Sequence, residues 1–357
     1  MLRAYLFNVS DRIEIPSGRY SQVDSVTQIA LGAAVGEVVL GRQVGRRAML
    51  WGAICGLFPD LDLLIPLKDA VKEFTYHRGP SHSLFVLAAL TPLFVWLILK
   101  LHRHTVQYRH RWYALVFLAF ATHVLLDSFT VYGTQIFWPL KTPPVMWSSI
   151  FIIDPAYSLP LLVGVLAALI LTRKSSWGHA INTACLILST AYLLWSVGAK
   201  LHIENVARES LQRQNITYHK LLTVPSPFNT LLWRVLVMDD DKYYEGFYSL
   251  FDPTRNIEFT QHPSDPQLLK GIEKHWPVQR LQWFTHGFYS VQRLLDDIVI
   301  TDLRMGMEPS YVFRFKVGRM GNPHAIPTDS QRVYSERPWW QLQWVWQRIW
   351  TTEPNIQ

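Results

Sequence analysis

The chain has 357 residues, 49% of them hydrophobic, and a formal net charge of +7. Residues 1–199 hold 16 Lys and Arg against 10 Asp and Glu, so the positive charge belongs to the more apolar half. This distribution favours basic loops between membrane helices and argues against nucleic acid as a partner. The only cysteines, Cys55 and Cys185, lie in apolar segments without CxxC spacing, which excludes a disulfide framework or a zinc knuckle.

The first half of the chain predicts a membrane domain. Residues 1–23 lack the apolar core of a cleavable signal peptide, and we interpret them as an N-terminal extension. Two weak apolar segments rich in Gly and Ala follow, at 25–41 and 48–58. Four stronger segments have the length and apolarity of transmembrane helices, and they cover residues 83–101, 112–129, 155–172 and 178–198. We therefore expect a mainly α-helical polytopic membrane domain at 24–199, with four strong and two short transmembrane helices.

The basic loops predict the orientation of these helices. Lys and Arg concentrate at 41–47, 100–111 and 172–174, which should lie in the cytoplasm. The loops at 59–82 and 130–154 then face outward, and the C-terminal half follows them. This pattern predicts a multi-pass plasma-membrane protein with its C-terminal domain on the outer side.

Ionisable residues that an apolar domain tolerates poorly collect at the outer ends of the predicted helices. They come from the stretches FPDLDLL, HRGPSHS, ATHVLLDSFT and FIIDPAY, together with the start of the first segment. These residues are Asp24, Asp60, Asp62, His77, His82, His123, Asp127 and Asp154. All of them fall on the side of the membrane that the basic loops assign to the exterior.

The types and spacing of these residues point to a metal site. His123 and Asp127 are four residues apart, so a helix places both on one face. Buried carboxylates and imidazoles would repel or become neutral unless a cation joined them. A mixed His and Asp set suits zinc, or manganese or iron, and such an ion activates water as a nucleophile. Taken singly, the HxxxD pattern also fits a hydrogen-bonded pair, and the DxD pattern also fits a solvated loop.

In this order the motifs resemble the YdjM-like family of membrane-bound metal-dependent hydrolases from the bacterial inner membrane. PDLD, HRGPSHS and HVLLDSFTVYG follow the family pattern PDxD, HRGx[ST]HS and HxxxD with a later TxxG. DSVTQ, FIIDPAY, WFTHGF and DLRMG are similar to elements of longer members that carry a C-terminal extramembrane domain. The resemblance implies metal-dependent hydrolysis. Gln28 and Leu63 stand where many shorter members have His, which argues against ligands at these positions.

The second half, 200–357, predicts a small β-rich or α+β extramembrane domain, because short alternating strands are broken by Pro, Gly and Asp. We interpret the acidic run at 239–241 as a hairpin turn and His286 as a packed strand residue. Asp302 and Arg304 either reach the substrate or pair with each other. A helix at 337–350 would place four apolar residues on one face, to rest on lipid headgroups or to pack in the core; they are Trp339, Leu342, Trp346 and Trp350.

The preferred hypothesis is a hydrolase whose metal lies near the outer membrane surface and whose substrate is a lipid or lipid-linked ester or phosphoester. The predicted ligands are the acids and imidazoles of the three motifs, namely Asp60, Asp62, His77, His82, His123 and Asp127. Asp24 or Asp154 would complete a second metal site or act as general base, and Arg78 would hold a phosphate or carboxylate. The alternative is a non-enzymatic transporter or scaffold with a structural polar cluster, a hypothesis that Glu37, deep in a weak segment, supports.

Overall fold

A computed structural model describes residues 21–171, 176–336 and 338–352, and for residues 21–24 it describes the backbone alone. Most of the predicted N-terminal extension and the basic loop at 172–174 therefore lie outside the described residues.

Helices form the first half of the described chain. α1 (Ser21–Gly36) continues through a π-helical turn (Glu37–Gly41) into α2 (Arg42–Val44), and α3 (Arg46–Leu57) returns alongside it. Both weak apolar segments are thus helical. The helices that follow are α4 (Ala70–Tyr76), α5 (Leu84–Leu101), α6 (Arg109–Phe129), α7 (Pro155–Ile170) and α8 (Trp177–Arg213).

Three helical segments of the described chain are long and apolar enough to cross a membrane, namely Leu84–Leu101, Arg103–Phe129 and Trp177–Arg213. α7 is apolar but has 16 residues, fewer than the roughly 20 that a span requires. A helical region with three candidate spans agrees with the expected membrane domain. The count of four strong and two short spans stays a prediction.

Glycines bring α1 and α3 into direct backbone contact. A Cβ atom on Gly32 would clash with the carbonyl of Gly52, and one on Gly52 would clash with the carbonyl of Gly32. Gly56 meets the backbone of Gln28 in the same way. Small residues allow such close approach between helices in an apolar medium. The contact places Gln28 and the end of α3 beside each other, at the site described below.

Two four-stranded antiparallel sheets form the second half, each in sequential strand order. The first contains β1 (Lys220–Pro225), β2 (Leu232–Met238), β3 (Lys242–Ser249) and β4 (Phe259–Pro263). The second contains β5 (Tyr289–Leu294), β6 (Asp297–Met307), β7 (Ser310–Arg319) and β8 (Ile326–Arg332). Two helices, α9 (Trp276–Phe284) and α10 (Trp340–Trp350), complete it. The prediction of a β-rich domain is confirmed.

Two local predictions in this half have different outcomes. The acidic run at 239–241 lies in the turn between β2 and β3, as expected. The interpretation of His286 as a strand residue is wrong, because this residue lies in the turn that follows α9, with φ of 55°. Its Nε2 lies 2.8 Å from the carbonyl oxygen of Pro144, so the side chain contacts the loop between α6 and α7.

The helical and sheet regions share their cores. Ile203 and Val206 of α8 pack with Trp233 and Val235 of the first sheet. Around Phe74 of α4, the second sheet and α9 assemble a larger core that also includes residues of the loop after α6. The predicted boundary between residues 199 and 200 falls inside α8, which runs unbroken through it.

Candidate metal centre

Four side chains from three separate segments converge near the end of α6. Asp60 lies in the 3₁₀ turn Phe58–Leu64 that ends α3, and His82 lies in the 3₁₀ turn Pro80–His82 that precedes α5. His123 and Asp127 lie one turn apart on α6. Each residue offers one ligand atom, and these atoms all lie within 4.8 Å of one another. We call Asp60, His82, His123 and Asp127 the His/Asp group.

The ligand atoms of the His/Asp group are closely and evenly spaced. His82 Nε2 lies 3.2 Å from His123 Nε2, 3.4 Å from Asp60 Oδ1 and 3.2 Å from Asp127 Oδ2. His123 Nε2 lies 3.6 Å from Asp60 Oδ1 and 3.5 Å from Asp127 Oδ2. All four residues are buried, and the most exposed, Asp60, retains 8% of its surface.

Hydrogen bonds orient both imidazoles of the group. His123 Nδ1 lies 2.6 Å from the carbonyl oxygen of Gly56, which can only accept a hydrogen bond. His82 Nδ1 lies 2.9 Å from Ser81 Oγ, and the Ser81 hydroxyl donates to Asp62 Oδ2 at 2.7 Å. These partners assign the ring proton to Nδ1 in both histidines. In the neutral imidazoles, the form that binds metal, the lone pairs of both Nε2 atoms therefore face the centre of the group.

Asp127 is held by one of its oxygens and offers the other. Its Oδ1 accepts a hydrogen bond from Gln28 Nε2 at 2.9 Å and pairs with the Arg78 guanidinium at 3.2 Å. Its Oδ2 is buried and accepts no hydrogen bond from the described residues. A buried carboxylate oxygen without a donor is unfavourable unless a cation contacts it.

Arg78 is buried rather than open to a substrate. Its side chain donates to Thr130 Oγ1 at 2.9 Å, and its guanidinium carbon lies 5.2 Å from the centre of the Tyr132 ring. The residue is only 2% exposed. We therefore interpret Arg78 as a residue that positions Asp127, in place of the predicted contact with a phosphate or carboxylate.

Asp62 and His77, predicted as ligands, form a pair beside the His/Asp group and are not members of it. His77 Nδ1 lies 2.9 Å from Asp62 Oδ1, and the backbone N–H of Arg78 donates to Asp62 Oδ2. Burial alone would raise the pKa of Asp62, but the contacts with His77 and Ser81 outweigh it and hold this pKa below its ordinary value. The side chains of His77 and Asp62 are 17% and 13% exposed, so the pair lies between the group and the surface.

The two remaining predicted site residues lie elsewhere. The Asp154 carboxylate caps α7 by accepting a hydrogen bond from the backbone N–H of Ala156. It also accepts one from the Tyr192 hydroxyl. Burial raises the pKa of the Asp154 carboxyl. These contacts account for Asp154 as a structural residue, and it does not join the four clustered ligands. The side chain of Asp24 lies outside the described residues.

Sequence reasoning missed the residues that orient the ligands. Gln28 is not expected to be a ligand, yet its amide holds Asp127, and the DSVTQ motif that contains it is the signal in the sequence. Ser81 belongs to the HRGPSHS motif and connects His82 to Asp62. The role of the Gly56 carbonyl cannot be predicted from the sequence, because every residue has a backbone carbonyl. Leu63, which has no ligand atom, is 45% exposed.

The arrangement can hold a metal ion. The His/Asp group and Arg78 together bury two carboxylates and one guanidinium. The contacts from Gln28, Ser81 and Gly56 orient Asp127, His82 and His123 so that their ligand atoms point toward one position. Removing one carboxylate oxygen and two imidazole nitrogens from water without a shared partner costs several kcal/mol, on the order of 1–3 kcal/mol for each group. A cation among the four ligand atoms would satisfy all of them.

A second set of possible ligands, His219, Asp239 and Asp240, lies at the turn between β2 and β3. The side chains of His219 and Asp240 are 63% and 88% exposed. Water therefore solvates these groups without an ion, and we assign them no site.

Comparison with known proteins agrees with the motifs. Residues 23–203, slightly more than half of the chain, match the family described as YdjM inner membrane protein. The chain is also 24% identical over 231 residues to a protein of Bacillus subtilis (strain 168) described as "Uncharacterized protein YfhP", an alignment that covers 63% of this chain and 68% of that protein. No solved structure matches the chain.

Proposed function

Since the chain belongs to the YdjM inner membrane protein family, we propose that it is a membrane-bound, metal-dependent hydrolase of the bacterial plasma membrane. The convergence of the His/Asp group carries the proposal. Four ligand atoms from three segments meet in a buried position, and their lone pairs are turned inward by groups that do not themselves enter the site. Such outer partners are a common property of metal sites.

The spacing of the ligand atoms favours zinc. Zinc binds His nitrogen and carboxylate oxygen at about 2.0–2.1 Å in tetrahedral sites, which places neighbouring ligand atoms about 3.3–3.4 Å apart. Five of the distances within the group, from 3.2 to 3.6 Å, bracket that spacing. The absence of thiolate ligands leaves manganese or iron as the other candidates.

A divalent ion bound here would supply Lewis acidity and lower the pKa of water to about 7, which provides a nucleophile for an ester or phosphoester. The chain would supply the remaining functions. Gln28 and Arg78 hold Asp127 in place. The His77 ring, oriented by Asp62 and partly exposed, is the side chain best placed to exchange a proton with the substrate at the outer edge of the site.

The surroundings of His77 and Asp62 favour a lipid or lipid-linked substrate. Apolar side chains in and directly after the turn that carries Asp60 and Asp62 are exposed on the protein surface and are not part of the hydrophobic cores. These are Leu61, Leu63, Leu64 and Ile65, between 43% and 76% exposed. An acyl or polyprenyl chain could lie along this apolar edge while its polar head reaches His77. The positive-inside bias of the basic loops supports an outer position for this end of the helices.

Metal analysis of the detergent-purified full chain tests the metal site. We expect wild type to contain at least one divalent ion per chain and a His123→Ala/Asp127→Ala variant to contain none. A His275→Ala/Asp297→Asn variant is the matched control, because these residues contact the Thr328 carbonyl and Lys316 in the C-terminal domain. Equal metal content in the first variant and wild type would contradict the proposal.

Activity is tested separately, with phospholipid, polyprenyl phosphate and simple ester substrates. We expect metal-dependent turnover that His77→Ala reduces strongly without a loss of bound metal. Bound metal in the absence of any turnover on all three substrate classes would contradict the hydrolase and leave the metal site.

One observation favours a non-enzymatic alternative. All four members of the His/Asp group are protein ligands and buried, and structural zinc sites are closed in this way, whereas catalytic sites keep a position for water or substrate. A second polar contact, between Glu37 and His179 at 3.5 Å, lies farther along the helices and fits a transporter or scaffold. A protein that unfolds on metal removal but shows no turnover would match this alternative.

A further inference from the structure

Helix α10 carries a row of exposed apolar side chains on the face that points away from the rest of the protein. Trp339, Trp346 and Trp350 are 82%, 65% and 58% exposed, and Leu342 lies on the same face. The sequence predicted this face but left open whether it contacts lipid or packs in the core. Core packing is wrong, because the face remains uncovered.

The opposite face of α10 attaches the helix firmly to the first sheet. Val345 and Ile349 are buried against Leu232 at the start of β2. Arg348 forms two hydrogen bonds of 2.7 Å with the Asp252 carboxylate. The helix is therefore apolar on both sides, and its orientation is fixed by the sheet rather than by the exposed tryptophans.

The C-terminal end of α10 is linked through the first sheet to the apolar part of α8. Ser249 Oγ donates to the carbonyl oxygen of Ile349 at 2.6 Å, and Ser249 pairs with Leu232 across β2 and β3. Two residues before Leu232, the Thr230 hydroxyl lies 3.0 Å from the Tyr192 hydroxyl of α8. The contacts connect the end of α10 to a residue in the candidate membrane span Trp177–Arg213.

Exposed apolar side chains also lie on α8 near Tyr192 and in the loops at this end of β2 and β3. On α8, Leu194 and Trp195 are 70% and 53% exposed within one turn of Tyr192. In the loop before β2, Phe228 is 47% exposed and packs against Phe151. The ring of Phe251 is stacked on Trp350 with a centroid distance of 5.1 Å.

We propose that Phe228, Phe251, Trp346 and Trp350, here called the aromatic tip, insert into the headgroup region of the leaflet from which α8 emerges. Tryptophan concentrates at membrane–water interfaces, where its ring is apolar and its N–H can be hydrated. A large exposed apolar patch on a protein usually marks a contact surface. Because the contacts through β2 and β3 link the tip to Tyr192 in a candidate membrane span with exposed apolar side chains, lipid is the occupant that fits it. The tip would fix the tilt of the sheet domain over the membrane, independently of any hydrolytic activity.

Spin-label accessibility on the full chain tests this contact. A nitroxide is attached at Trp350→Cys, or at Trp346→Cys as an independent second position, in a Cys55→Ala/Cys185→Ala background reconstituted into phosphatidylcholine/phosphatidylglycerol vesicles. Leu295→Cys is the matched control, because this residue is 82% exposed in the turn between β5 and β6, at the opposite end of those strands from the His286 loop. Collisions with oxygen, which partitions into lipid, and with a water-soluble nickel complex are measured at each position.

We expect the label at either tip position to collide severalfold less with nickel, and more with oxygen, than the label at Leu295→Cys. Equal nickel accessibility at the tip and control positions would overturn the proposal. Dipolar broadening at the tip that disappears on dilution with unlabelled protein would show that a second copy covers the surface, and would also overturn it.

Discussion

Two buried clusters of charged side chains lie on either side of Tyr132, and they are completed in different ways. Asp302 and Arg304 in the second sheet are both fully buried, and the guanidinium contacts both carboxylate oxygens, with the closest at 2.7 Å. Arg304 also donates to the carbonyl oxygen of Tyr132 at 3.0 Å. On the other side of the same residue, Arg78 packs on the Tyr132 ring and pairs with Asp127.

The comparison shows how a buried structural ion pair differs from a candidate ligand set. In the Asp302–Arg304 pair each carboxylate oxygen has a donor, so the alternative that these residues pair with each other is the one that the structure supports. In the His/Asp group, Asp127 Oδ2 accepts no hydrogen bond within the described part of the chain, and two imidazole nitrogens face each other. Burial is similar in both clusters. They differ in whether the acceptor lone pairs receive a hydrogen bond.

The largest expected effect comes from breaking the structural pair. Asp302→Ala leaves a buried guanidinium without its carboxylate, and breaking such a pair costs about 3–5 kcal/mol of stability. The free energy of unfolding in detergent measures this loss. Because no metal is involved, the loss should be the same with and without a chelator.

Asp297→Asn serves as the control for that experiment. Asp297 also pairs with two cations, Lys316 at 2.8 Å and Arg319 at 3.2 Å, but its side chain is 35% exposed. Lys316 is 10% exposed and Arg319 is 62% exposed, but water reaches the shared carboxylate, so we expect the contribution of about 0–1 kcal/mol that is typical of exposed pairs. A loss of similar size for Asp297→Asn and Asp302→Ala would show that burial does not decide the stability of these pairs.

Removal of metal should have the next largest effect and should act on the His/Asp group alone. An ion that binds only the folded chain contributes about 2.7 kcal/mol when its free concentration is 100 times Kd. A chelator should therefore lower the unfolding temperature of wild type and leave His123→Ala/Asp127→Ala unchanged. An equal shift in both proteins would place the responsible ion elsewhere.

The smallest effect is expected from Gln28→Ala, which removes a partner of Asp127 without touching the ligand atoms. Loss of such outer hydrogen bonds commonly weakens metal affinity about 10–100-fold. Competition with a chelating indicator measures the change. Gln214→Ala is the control, because Gln214, directly after α8, donates a comparable hydrogen bond to the Ile257 carbonyl. Unchanged affinity in Gln28→Ala would mean that Arg78 alone holds Asp127.

Periodicity and apolarity are enough to predict the helical region and the β-rich second half, because both depend only on the order of apolar and polar residues. The three motifs likewise contain all four members of the His/Asp group. The prediction could not separate them from Asp62 and His77, because HRGPSHS offers two imidazoles and PDLD two carboxylates. The path of the backbone decides which imidazole and which carboxylate of each motif point into the group.

Other features of the structure depend on contacts between distant segments. The sequence gives no means of knowing that Arg78 would be enclosed by Thr130 and Tyr132 rather than exposed. Helix α10 has two apolar faces, and either could pack against the first sheet. In the structure Val345 and Ile349 make this contact, and the tryptophans do not. Hydrophobic spacing identifies such faces but cannot rank them.

The core around Phe74 bears on the order in which the protein matures. Phe74 and Tyr132, which lie close to the ligand histidines in the chain, pack against Phe284 and Phe313 from the last third of the polypeptide. During synthesis these two aromatic residues must wait, without their neighbours, until the ribosome has released β7. The packing beside the ligand motifs would thus be completed only after both sheets are made, and a fragment truncated near residue 200 would leave these two rings without their aromatic neighbours.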